Sequence, residues 1–372
     1  EIRPSDDVLK KLTTKILAAN NPVIISGHEI ASRNALYEAG RFATLIGAPV
    51  WQQTVPHGAH FLTDHECFQG HLPRIQEKVK QILEPYDLLI VVGADVLRMS
   101  VMSKVDPLPK GISVLHISER DWEIGKNYPT EMAINANVKE TLKALIPQIE
   151  NNQSAVSKNN AKKRVEKYKT FNWKQNKLIL ASKLGKHRNT KYIHPERLMM
   201  LISDHVSNNA IIVEEGLSST STLLSFLPIS GPDRFFGLAS GGIGFAAGGS
   251  IGISLAAGAR PIIAIIGDGS IMYSIQALWT AAHLNLPITY IVLNNKGYEI
   301  LKQRLQSFRG TQNFIGMSLN DPPINFTSLA QSMGVSSVKA NSEEHICQIL
   351  KQTSYRKGPL LVDIQIEPII KN

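Results

Sequence analysis

Two short segments carry residue types able to hold a cation and a phosphate. Gly267-Asp268-Gly269-Ser270 follows the apolar run 261–266, and Asn294-Asn295 follows the apolar run 288–293. Asp268 and Asn295 offer a carboxylate and a carboxamide. A hard cation such as Mg2+ needs only a few protein oxygens when phosphate and water complete its octahedron. Gly269 and Ser270 open a helical stretch, whose first N–H groups and positive dipole end suit a diphosphate. Gly-Asp-Gly alone is also a common turn. The pairing with Asn294-Asn295 favours the binding reading.

The elements that must position these residues follow from periodicity. Residues 274–284 are patterned as a helix between two buried strands, which makes a βαβ unit. A crossover of this kind makes the strands parallel, so Asp268 and Asn295, 27 positions apart, leave the sheet at one edge. The first half alternates similarly: helices over 8–19, 31–46, 75–83 and 138–150, with strands over 22–27, 49–51, 88–93, 113–117 and 133–136. Such alternation argues for an α/β fold with two doubly wound domains and mainly parallel sheets. The expected divisions are 1–152, a basic linker over 153–192, and 193–372.

Composition narrows the function. The 372 residues suffice for two ordinary cores, and 43% hydrophobic with 19% charged residues reads as a folded globular chain. The net charge of +9 is concentrated: residues 158–191 hold twelve Lys or Arg against Glu166 alone, a balance of +11, and the remainder carries −2. That stretch reads as a solvated linker, and no nucleic-acid partner is expected. Residues 235–259 are uncharged but include eight glycines, which favours turns and close packing over a membrane span. The two cysteines, Cys67 and Cys347, lie far apart and read as free thiols in a reducing, cytoplasmic setting. His57, His60, His65 and His71 crowd one loop at a spacing that matches no zinc finger, so structural or surface roles are expected. Gly27, Gly93 and Ala94 follow strands without a full GxGxxG, a weak nucleotide signal.

Gly267-Asp268-Gly269-Ser270, the helix, and Asn294-Asn295-Lys296-Gly297-Tyr298-Glu299 resemble the signature of thiamine diphosphate-dependent 2-oxo acid decarboxylases. Trp51 to Pro73, Asp87 to Val96, Ile193 to Glu196, Ser218 to Thr222 and Ala239 to Phe245 extend the likeness, which is greatest to the benzoylformate decarboxylases. The resemblance implies Asp268, Asn295 and the Gly297 carbonyl as ligands to Mg2+ or Ca2+. It implies Ser218, Gly269, Ser270 and Tyr298 around the diphosphate, Gly241 facing the aminopyrimidine, and Ile243 wedged beneath the bent cofactor. It also implies a 2-oxo acid substrate, no flavin, and a homodimer or homotetramer. In the family an N-terminal pyrimidine-binding domain supplies an activating glutamate. No glutamate of this chain takes that role by resemblance, so the chain is expected to be a processed or truncated form, inactive alone. A histidine that handles protons in the family is matched here by Ser100, and Lys302 and Arg304 stand where an aromatic substrate would meet apolar side chains. An acetolactate-synthase-like carboligase and a noncatalytic thiamine diphosphate-binding protein are the alternatives.

Overall fold

The computed structural model describes residues 2–99, 103–185 and 192–370. It divides into two compact units, one of Glu1–Ile179 with Pro228–Asp233 and one of Leu180–Leu227 with Arg234–Asn372. The expected position Ser100 lies outside the described residues.

The first unit is built on six parallel strands: β1 (Pro22–Ser26), β2 (Val50–Gln52), β3 (Phe68–His71), β4 (Leu88–Val92), β5 (Ser113–Ser118) and β6 (Met132–Asn135), in the spatial order β3-β2-β1-β4-β5-β6. Strands β1 and β4 are buried throughout, because helices cover both faces and leave no polar alternation. The helix Asp6–Ala18 begins where the Ser5 side chain accepts the Val8 amide, and it turns Leu9, Leu12 and Ile16 into the core. The helix expected over 31–46 is two, His28–Ser32 and Leu36–Ile46, parted where Asn34 takes φ 51°. Thr63 reaches a distant segment of the same unit. Its amide donates to the Ile229 carbonyl at 3.2 Å, and its hydroxyl accepts the Ile229 amide at 2.9 Å.

The stretch read as a linker contains the helices Ala155–Lys169 and Trp173–Leu184. The former buries Ala161, Val165 and Tyr168 while Lys158, Lys162, Lys163 and Lys167 stay exposed. Arg164 donates to the carbonyls of Ile46 at 2.7 Å, Gly47 at 2.9 Å and Asn20 at 3.0 Å. Two of these donors satisfy carbonyls at the end of the helix Leu36–Ile46, which Gly47 terminates in the left-handed region at φ 61°. A Cβ on Gly47 would meet the Ala161 carbonyl oxygen at 2.4 Å, so glycine permits both the turn and the approach.

Cys67 is fully buried, and burial pushes its thiol up to about 12. Thiolate is the nucleophile, so in a Cys347→Ser background native Cys67 should alkylate at pH 8 about a thousandfold more slowly than an ordinary cysteine. A mass-spectrometric time course with iodoacetamide, native against unfolded, checks this. Equal rates would contradict the burial.

The second unit holds β7 (Ile211–Glu215), β8 (Phe235–Gly237), β9 (Ile262–Gly267), β10 (Ile288–Asn294), β11 (Ser336–Ala340) and β12 (Leu360–Gln365), all parallel, in the order β11-β12-β10-β9-β7-β8. Every residue of β10 is buried, as its continuous apolar run requires. The glycine-rich segment forms β8 and the helix Phe245–Ala257, which buries small residues, Ala246, Ala247, Ser250 and Ser254. Among the described residues, no helix is long and apolar enough to cross a membrane.

Candidate functional site

In the second sheet β7 and β9 are neighbours, while the chain after β7 runs to β8 on one side and after β9 to β10 on the other. Crevices at such switch points are where open α/β sheets take ligands. The register sets Glu215 beside Ile266 and Gly267 beside Leu293, so Glu215, Asp268 and Asn295 leave the same edge.

Asp268 is buried. Its Oδ1 accepts the Gly269 amide at 2.8 Å and its Oδ2 the Gly297 amide at 3.1 Å. Burial pushes its carboxyl up to about 6 even though backbone N–H groups of Gly269, Gly297, Lys296 and Asn295 pull the other way. Asn295 Oδ1 accepts the same Gly297 amide at 3.2 Å, and its Nδ2 donates to Ser219 Oγ at 3.4 Å. Lys296 takes φ 63°, a left-handed conformation that turns the chain sharply between Asn295 and Gly297. A side chain on Gly297 would sit 2.6 Å from the Met317 carbonyl oxygen, and one on Gly269 would sit 2.4 Å from Tyr298 Cε1. The Tyr298 ring therefore lies directly on the Gly269 turn.

Asp268, Gly269, Ser270, Asn295, Gly297 and Tyr298 are thus gathered by two strand ends and their turns. The helix expected over 274–284 is shorter: Asp268–Ile271 is one turn, and Ala277–His283 follows after a break. Ser218 is half-buried in the 3-10 turn Leu217–Thr220, next to the Ser219 that meets Asn295. Gly241 is exposed and Ile243 half-buried, in the loop that leads into the helix Phe245–Ala257. A cavity of about 300 Å³ opens beside Asp268 on the β12 side, lined also by Asn294, Lys296, Lys339 and Asp363.

One site residue escaped the sequence reading. Glu215, 1% exposed, ends β7 and accepts the amides of Gly244 and, at 2.6 Å, Ala246. Burial raises its pKa, and these donors oppose the rise. Glu215 thereby caps the helix Phe245–Ala257 and fixes the loop that carries Gly241 and Ile243, where Gly244 adopts φ 105°. Its one local signal is an acidic pair closing an apolar strand. Glu215→Ala should cost about 2 kcal/mol by stranding buried donors, seen as a lowered thermal midpoint, with Glu215→Gln intermediate.

Lys302, which stands where an aromatic substrate would meet apolar side chains, is paired. It is buried, and its Nζ lies 3.0 Å from Glu299 Oε1, while Glu299 Oε2 accepts the Ile370 amide at 3.0 Å. Arg304, which shares the helix Glu299–Arg309 with Lys302, is exposed.

An all-parallel α/β unit with a buried carboxylate and a carboxamide at its switch point belongs to the class of open-sheet domains that take ligands at that edge. Residues 9–145 match the central domain of thiamine pyrophosphate enzymes, and residues 218–364 match their C-terminal TPP binding domain. The chain belongs to the thiamine pyrophosphate enzymes. It is 28% identical to a benzoylformate decarboxylase of Pseudomonas aeruginosa over 98% of this chain and 65% of that one. A probable acetolactate synthase large subunit of Methanococcus aeolicus is 26% identical over 97% of this chain and 60% of its own. The thiamine diphosphate-dependent 4-hydroxybenzoylformate decarboxylase of Rhodococcus jostii RHA1 superposes with a TM-score of 0.82 at 27% identity, covering 99% of this chain and 66% of that one. This chain therefore spans 60–65% of the two curated relatives' length.

Proposed function

We propose that the protein is a thiamine diphosphate-dependent lyase that decarboxylates a 2-oxo acid of the benzoylformate type. The observation that carries this reading is the turn in which the buried Asp268 carboxylate and Asn295 Oδ1 share the Gly297 amide. A carboxylate, a carboxamide and a backbone carbonyl are the oxygen donors that Mg2+ or Ca2+ takes alongside a diphosphate. The donor set fits the group. Asp268, Asn295 and the Gly297 carbonyl would hold the cation, and Gly269, Ser270 and Ser218 would face the diphosphate, with Tyr298 covering the Gly269 side. Glu215 would keep Gly241 and Ile243 in place for the ring system through the amides it accepts.

Thiamine diphosphate supplies the electron sink for the pair left behind when a 2-oxo acid loses carbon dioxide. The protein's part is then to position, to exclude water and to move protons. The Lys302–Glu299 pair neutralises a charge next to the Gly297 turn, so this cation is not left to attract a second substrate carboxylate. A pyrimidine-binding domain with an activating glutamate, and pairing into a homodimer or homotetramer, complete the proposal for the whole protein in a cytoplasmic setting.

The acetolactate synthase relatives support a second reading, a carboligase. The protein, including any coding sequence upstream of Glu1, is to be assayed with Mg2+, thiamine diphosphate and either benzoylformate or pyruvate. Benzaldehyde release is the expected result. Acetolactate from pyruvate would establish the second reading, and cofactor binding with neither product would make this a binding protein.

A further inference from the structure

The first sheet has its own switch point between β1 and β4. There β1 runs into Gly27-His28, and β4 into Gly93-Ala94-Asp95. Imidazoles occupy this edge. His28 starts the helix after β1, and His57 and His60 come from the loop after β2. Ring centroids of His57 lie 5.1 Å from His28 and 5.0 Å from His60, and ligand nitrogens of the three fall within 4.8 Å of one another. His65 stands apart, taken up by the Thr44 hydroxyl at 3.3 Å and the Cys67 amide at 3.2 Å.

His60 gives the independent sign of a ligand. It is 0% exposed, and among the described residues neither ring nitrogen has a hydrogen-bond partner. Buried polar atoms are nearly always paired, so two idle nitrogens on one ring call for an occupant. The nitrogens also converge. A side chain at Gly58 would lie 3.2 Å from His60 Nε2 and 3.6 Å from His28 Nδ1, so the absence of one keeps this space clear. His57 Nδ1 lies 3.3 Å from the Val55 carbonyl; donation there leaves Nε2 with its lone pair, the usual anchoring of a metal-bound imidazole.

We propose that His28, His57 and His60 form a binding site for a divalent transition metal of the zinc type, with a fourth position open to water beside the exposed His28. Three imidazoles without thiolate or clustered carboxylate ligands suit zinc, copper or nickel and not magnesium or calcium. Zn–N bonds near 2.0–2.1 Å place tetrahedral ligands about 3.3 Å apart, so the triad closes on an ion by side-chain rotations on the order of 1 Å. Nearby charge does not oppose a cation on balance. Glu29 and Asp95 adjoin the site; Arg120 pairs with both, at 2.9 Å and 3.0 Å, and Arg98 reaches Asp95 at 3.5 Å, so acids and guanidinium groups balance. A bound ion would tie the loop after β2 to the helix that follows β1.

The test uses the 372-residue chain stripped of metal and dialysed against micromolar Zn2+ with millimolar Mg2+ present. One zinc per chain is expected by mass spectrometry, and Co2+ in its place should give visible d–d absorption. His28→Ala and His57→Ala, checked for native circular dichroism, should each lower zinc affinity tenfold or more. His345→Ala and Asp268→Ala should not, which separates this site from the proposed diphosphate site. Zinc retention by folded His28→Ala equal to the unaltered chain, or no Co2+ absorption in the unaltered chain, would overturn the proposal.

Discussion

Asp268→Ala is expected to lower the affinity of the protein for Mg2+ and thiamine diphosphate together by at least about a hundredfold, equivalent to roughly 2.7 kcal/mol or more. The variant removes the one anionic ligand of the proposed set, leaving a carboxamide and a carbonyl to balance cation against diphosphate. The fold should survive. Because burial raises the Asp268 carboxyl to about 6, the folded chain holds that proton more tightly than the unfolded chain does. Its ionisation therefore costs stability as pH rises from near 4 through about 6, and the full cost persists above that. Near pH 7.5 the alanine relieves this cost but strands the amides of Gly269 and Gly297, so the thermal midpoint should move little. Calorimetry showing unchanged cofactor affinity would refute the assignment.

Gly27→Ala is expected to destabilise the first unit by about 3 kcal/mol, among the larger effects of a single added methyl group. Its Cβ would fall 2.3 Å from both Ala94 Cα and the Gly93 carbonyl oxygen, which are backbone atoms unable to swing aside. Denaturant unfolding of the variant beside Gly241→Ala, where no atom of the described residues lies within 4 Å of the added carbon, provides the contrast. Equal loss in both would contradict the packing of the turn after β1 against the turn after β4. Gly27 and Gly93, which looked like a faint nucleotide motif, are glycines because two backbones meet there.

What the sequence disclosed depended on how locally each signal was written. Strands β1, β4, β9 and β10 are buried along almost their whole length, so each appeared as a bare apolar run. Strand β3, Phe-Gln-Gly-His on the sheet edge, has neither such a run nor clean alternation, and its register against β2 shifts at Val50 and Trp51. The helix Ala155–Lys169 was hidden by its charge, although Ala161, Val165 and Tyr168 fall at helical spacing. Asp268 and Asn295 were legible because each directly ends a strand. Glu215 acts on amides 29 and 31 positions away, and His28 meets rings from a different loop, so only the folded register brings those groups together.

Protein synthesis meets the first unit in an unusual order. Its sheet is complete by Asn135, yet the amide and hydroxyl of Thr63 find their partners in Ile229, and Pro228–Asp233 counts with this unit although β7 precedes it in the chain. A ribosome adding about 5–20 residues per second leaves several seconds or more in which the loop around Thr63 waits for that segment. The unit would reach its final protection only after the other has begun to form. Amide exchange on nascent chains stalled before and after residue 233 should therefore differ most at Thr63.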